Sequence, residues 1–224
     1  MISYKYDLSG IDKPLVMEFP IATGTAILVG SEVKMASGLI VLATLTETGA
    51  TIGVAAEPHT GVADTLNPRA NGLVIKVYCS PTAVFGAKPN CLLTATSGSG
   101  TTFAATALSN GYADHDWIGA TLILKTKVTA STLTDPIGTV YKVTDSTAAT
   151  SLFTGVFPGN VSAGDIMLLL PPILLAKGNF KATTIDNLDY LVATGTQIRV
   201  VDVDVPQEMV YFISPLHQLG NKAS

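Results

Sequence analysis

The chain has 224 residues, enough for one large or two small domains. Charged residues make up only 13% of it, against about 25% in an ordinary soluble domain, and the net charge is −4. That balance carries no basic footprint, so nucleic acid is excluded as an expected partner.

Gly (20) and Pro (12) are frequent, and Thr, Ser and Ala fill much of the remainder. This composition predicts many short strands and turns. A surface so poor in charge is easily covered by a partner, because little charge must be desolvated. It equally suits an ordinary β protein with a neutral surface.

Met1 to Lys13 is polar and aromatic, with Ile2, Tyr4, Tyr6 and Leu8 alternating with polar residues. One face of an extended strand would then be apolar. Residues 1–13 therefore read as an N-terminal arm that adds to the edge of a neighbouring subunit's sheet, or as a loose tail. The stretch has no apolar core of the kind a secretory signal needs. From Pro14 onward the pattern is β, with strands expected at Leu15–Phe19, Thr25–Val29, Glu32–Met35, Leu39–Leu45 and Thr51–Ala56. Gly24, Gly30, Gly38, Gly49 and Gly53 punctuate them, and no window sustains a 3.6-residue apolar period.

Gly53 to Ala56 is small and apolar, suited to a strand that another backbone approaches closely. A polar loop containing Asn67-Pro68-Arg69 separates it from Leu73–Cys79, which reads as a strand buried on at least one face. Ser80-Pro81 ends that strand and Val84-Phe85 begins the next. Cys79 and Cys91 flank the turn. Without a secretion signal they are expected to be reduced thiols packed as small hydrophobes, and two cysteines do not make a zinc site.

Thr94 to Thr102 is rich in Gly, Ser and Thr and uncharged, so residues 97–102 read as a linker, with an exposed hairpin loop as the alternative. This gives an all-β reading: a small β-barrel or β-sandwich domain at 14–96, then a second β-rich domain at 103–215 and a C-terminal tail at 216–224. In the second half, Phe103–Leu108 is a strand or a helical turn. Asn110-Gly111, Asp135-Pro136-Ile137-Gly138 and Phe157-Pro158-Gly159-Asn160 are turns, and Thr121–Val128 and Thr139–Thr144 pair. Ile166–Leu170 is a buried strand ended by Pro171-Pro172; the apolar run to Ala176 is too short to span a bilayer, so no membrane partner is expected. Asn187–Val192 is ambiguous. Gln197–Val205 and Met209–Ile213 are strands around Pro206. A faint echo links Gly72-x-x-Ile75-Lys76-Val77 to Gly195-x-x-Ile198-Arg199-Val200, each followed by a Pro and a Val-aromatic pair. A true duplication would close each domain with a similar hairpin.

Few residues suggest chemistry. Asp114-His115-Asp116 precedes Trp117, but consecutive residues on a strand point to opposite faces and converge only in a tight turn. Trp117 reads as a core anchor or an interface residue. His59 and His217 have no nucleophile and orienting acid nearby in sequence, and no G-x-S-x-G elbow occurs. Asp202 and Asp204 share one strand face, as a calcium site might begin, yet the loop pattern that would complete it is missing. No phosphate-binding or dinucleotide fingerprint is present. The expectation is a protein without a catalytic, metal or cofactor site.

One stretch carries a family resemblance. Gly53-Val-Ala-Ala-Glu57, a Gly-containing turn, then Gly72-x-x-Ile75-Lys76-Val77-x-x-Ser80-Pro81-x-x-Val84-Phe85 resembles tailed-phage head decoration (capsid cement) proteins. Upstream, Gly24-x-x-Ile27-x-x-Gly30-x-x-Val33-x-x-x-x-Gly38 fits the same family pattern, and the resemblance covers roughly residues 13–95. It implies a structural virion protein on the outer capsid surface, assembled in the host cytoplasm. Its partners would be the major capsid protein and further copies of itself, most simply a homotrimer. Ile2, Tyr4, Tyr6, Leu8 and Trp117 would then be the candidate capsid or subunit contacts. The alternative of another class is a head-fibre or tail-associated β module that binds a host surface glycan through an exposed aromatic platform. An enzyme ranks last.

Overall fold

A computed structural model describes residues 2–10, 13–43, 51–62, 73–105, 112–173, 179–180, 188–189 and 198–213. Every ladder between its strands is antiparallel, and the described residues contain no α-helix, only one 3₁₀ turn at Ala148–Thr150. The protein is all-β and sandwich-like. None of its sheets closes into a barrel.

The first sheet has five strands: β2 (Val16–Pro20), β3 (Glu32–Ala36), β4 (Leu39–Leu42), β5 (Gly53–Ala55) and β6 (Val74–Tyr78), in the order β2-β6-β5-β3-β4. Its core gathers Phe19, Ile21, Ile27, Val33, Ile40, Ile52, Ile75, Val77 and Cys79. The period-two pattern of β6 explains its seating: Ile75 and Val77 are buried while Lys76 between them is exposed and pairs with Glu57. Ser37 and Gly38 both have positive φ, which makes the two-residue turn that joins β3 to β4 with the twist a hairpin prefers. Gly53 fulfils the close approach expected of it. Its φ is +149°, and a Cβ there would lie 1.8 Å from the Tyr78 carbonyl oxygen. Thr25–Val29 is not a strand; only Ile27 bridges, to His59, because Gly24 and Gly30 at positive φ turn the chain on either side.

The second sheet has four strands, β1 (Ser3–Asp7), β7 (Ala83–Ala87), β17 (Arg199–Asp204) and β18 (Met209–Ile213), in the order β1-β7-β18-β17. Among the described residues it therefore joins the first strand to the last two. The third has seven: β8 (Leu92–Gly98), β9 (Thr102–Ala105), β10 (Thr121–Thr126), β11 (Val140–Lys142), β12 (Asp145–Thr147), β13 (Leu152–Thr154) and β14 (Ile166–Leu170), in the order β11-β10-β14-β8-β9-β13-β12. Its outermost strands β11 and β12 are separated in the chain only by Val143 and Thr144. Val143 exchanges hydrogen bonds with the Gly119–Ala120 backbone, and Thr144 N–H donates to Thr154. The sheet thus rolls until its edges share one stretch of chain, with no ladder between β11 and β12. A short ladder, β15 (Asn179–Phe180) with β16 (Leu188–Asp189), completes the set. Consecutive residues of β10 and β14 are buried, so both of their faces are covered. One apolar cluster joins this sheet to Phe85, Ile198, Val200, Val210 and Phe212 of the four-stranded one.

Several expectations are corrected. Residues 97–102 are not a linker: they end β8, turn, and begin β9, with Gly98 opposite Phe103 and Ser99 N–H donating to Thr102. The two apolar clusters interleave along the chain: Ile2 and Val54 belong to the cluster of Ala83–Phe212, and Phe19 to Cys79 supply the other. Within the N-terminal stretch read as an arm, Ser3–Asp7 is not free, since β1 pairs with β7 of its own chain. The echo does not describe two equivalent hairpins: β17 pairs with β18, whereas β6 and β7 lie in different sheets. The Asn67-Pro68-Arg69 loop, the Asn110-Gly111 turn, His217 and the 216–224 tail lie outside the described residues.

Candidate functional site

The N-terminal strand divides the proposed contact residues into two kinds. Ile2 is buried in the main cluster, and the Tyr4 ring stacks on Tyr78 at 5.3 Å and meets Phe85 edge-on. Tyr4 faces Phe85 and Tyr6 faces Val84 across the ladder, which leaves Lys5 as a bulged residue. The bulge shifts the alternation by one, so Tyr6 (45% exposed) and Leu8 (52% exposed) turn outward while Asp7 turns in. Of the four, only Tyr6 and Leu8 are placed to touch a partner.

Asp7 anchors the strand. Its Oδ1 accepts from the Ser9 N–H (2.9 Å), the Ser9 hydroxyl (2.5 Å) and the Thr82 hydroxyl (2.6 Å). Burial pushes the carboxyl pKa up, but hydrogen bonds from Ser80, Ser9 and Thr82 outweigh it and hold the group well below the usual carboxylate range. The bonds tie β1 to the Ser80–Thr82 turn that leads into β7.

Trp117 is a core residue, not an interface residue. It is fully buried, with Tyr112 at 4.9 Å and Phe153 edge-on at 6.4 Å. The acidic residues before it build its turn. Asp116 accepts from the Ala113 N–H, Asp114 from the Ala148 N–H, and His115, at φ +71°, pairs through Nδ1 with Asp145 at 2.6 Å. That bond raises the His115 pKa and lowers that of Asp145. The three therefore do not converge on one point. His59 Nδ1 accepts from the Gly61 N–H within its own turn. Among the described residues, no group of three or more His, Cys, Asp or Glu side chains could hold a metal ion, and no helix is long and apolar enough to cross a membrane. Cys79 and Cys91 are free thiols buried in different apolar clusters. Burial pushes the Cys79 thiol pKa up.

Two exposed surfaces emerge that the sequence pattern did not mark. The first is β2, an edge strand of the five-stranded sheet. Leu15, Val16 and Met17 form a run 48%, 37% and 42% exposed on it. Consecutive exposed apolar side chains on an edge strand are a feature that natural sheets generally protect. The second is an open groove of about 710 Å³ on the four-stranded sheet, lined by Lys5, Tyr6, the end of β17 with Val205 and Pro206 after it, and Tyr211. Asp202, Tyr211 and Gly86 stand opposite one another across β17, β18 and β7. A Cβ on Gly86 would come within 2.6 Å of Lys5 Cε and 3.1 Å of Tyr211 Cε1. The missing side chain is thus what lets the Lys5 stem and the Tyr211 ring lie down on the sheet.

Comparison of the chain with protein-family models, curated proteins and solved structures returned no match.

Proposed function

We propose that this protein is a structural virion component that binds the outer surface of a phage capsid and stabilises it, without performing chemistry. The observation that carries the reading is the exposed apolar run Leu15–Met17, on the sheet whose strands β3, β5 and β6 hold the Val33, Gly53 and Ile75-Lys76-Val77 positions of the decoration-protein resemblance. A protein with 13% charged residues has few groups to desolvate when such a run is covered. Tyr6 and Leu8 supply further exposed apolar contact. The partners are the major capsid protein and other copies of this chain, a trimer being the simplest arrangement. Joining several weak contacts in one oligomer raises their effective concentration, so no single contact need be strong.

The test is to mix purified protein with capsids that lack it, using the wild type and a Val16→Lys/Met17→Lys variant. Saturable occupancy by the wild type, and at least a tenfold weaker association by the variant at equal thermal stability, is the expected result. Failure of the wild type to bind any shell, with retention on a host-surface glycan instead, would transfer the case to the fibre-module reading.

A further inference from the structure

We propose that the groove between Tyr6, Tyr211 and the 202–206 stretch is a binding site for a neutral, hydroxyl-rich saccharide. Its walls include the Tyr211 ring and the Lys5 stem, which lie flat over the buried backbone of Gly86 because no side chain there lifts them away. Tyr6 adds a second, half-exposed ring. Tyrosine presents an apolar face with a polar tip, which suits the C–H face and hydroxyl rim of a pyranose ring. At about 710 Å³ the groove is within the size range of small-ligand sites.

The carboxylates are fixed in advance. Asp202 Oδ1 accepts from the Val203 N–H at 2.8 Å, and Asp204 Oδ1 from the Gln207 N–H at 3.0 Å. Each is held by one oxygen, so the other can accept from a sugar hydroxyl, a charge-assisted bond stronger than a neutral one. The Lys5 ammonium supplies a donor to the same groove. Two carboxylates against one ammonium repel phosphorylated or sulfated polymers. Three charged groups around an open groove are also a poor match for a wholly apolar ligand. The groove and the Leu15–Met17 edge lie on different sheets and share no residue, so the inference stands apart from capsid attachment.

The experiment is affinity electrophoresis of the full chain through gels containing dextran, mannan or galactomannan, with heparin and polylysine gels alongside. Wild type should be retarded in at least one neutral gel and pass freely through heparin. Tyr211→Ala, Asp202→Asn/Asp204→Asn and Gly86→Ala should each reduce that retardation at least fivefold, with thermal melting used to verify the fold. Should Tyr211→Ala not fold, the Asp202→Asn/Asp204→Asn variant carries the test, because its changes are on exposed or half-buried side chains. Free passage of wild type through every neutral gel, retardation undiminished in the folded variants, or retardation by polylysine alone would overturn the proposal.

Discussion

Asp7, Gly53 and Trp117 show how single side chains hold this fold. Asp7 is buried, yet its hydrogen bonds favour the charged form. Its folded pKa lies below the roughly 3.9 of an unfolded aspartate, so its contribution to stability is present above about pH 4 and declines as the pH falls below that value. Asp7→Asn should cost about 2 kcal/mol at pH 7, the usual scale for hydrogen bonds to a charged group. Between pH 7 and pH 3 the variant should lose less melting temperature than wild type; equal losses would show that Asp7 is not the titrating group. Gly53→Ala puts a methyl on the Tyr78 carbonyl, 1.8 Å away. Overpacking a backbone contact should cost at least about 2–3 kcal/mol in chemical denaturation, and a neutral result would mean that β5 and β6 can separate freely. Trp117→Ala should cost about 3–5 kcal/mol, the range for removing a large core aromatic. A loss under about 1 kcal/mol would return Trp117 to the interface role that was the alternative reading of its sequence.

At the scale of elements, β1 is part of the chain's own sheet. Deleting residues 1–10 removes Ile2 from the main cluster and the Asp7 bonds from the Ser80–Thr82 turn, so the truncated chain should melt well below the full one. An unchanged melting temperature would restore the reading of a dispensable arm. The sequence made some strands plain and hid others for physical reasons. β6, β10 and β14 were legible because an Ile-Lys-Val alternation or an unbroken apolar run leaves little else for the chain to do. The β8–β9 hairpin stood only as the alternative to a linker, because its composition is that of a linker. Thr94, Thr96 and Ser97 are on exposed positions of a half-buried strand. Gly98 is there for close packing, since a Cβ would sit 2.6 Å from the Val161 side chain. In β1 the alternation predicted a single apolar face, and the bulge at Lys5, which no local residue announces, split it. The groove escaped notice because its residues come from both ends of the chain, Lys5 and Tyr6 with Asp202 to Tyr211.

For the whole molecule, the composition and the sheets point the same way: little charge, many short strands and an exposed apolar run at Leu15–Met17. An assembly that covers this run should depend little on salt, because ionic screening acts on charges the surface scarcely has. Capsid occupancy should accordingly be similar at 0.05 and 0.5 M NaCl, and a steep fall would indicate electrostatic attachment instead. Sedimentation of the free protein should give a mass above the 23.2 kDa of one chain. The most direct measurement is the temperature at which DNA escapes from capsids lacking this protein, before and after its addition to saturation. The proposed function predicts saturable occupancy and a higher release temperature with wild type, and no rise with Val16→Lys/Met17→Lys. Full occupancy with an unchanged release temperature, or no occupancy at all, would contradict it.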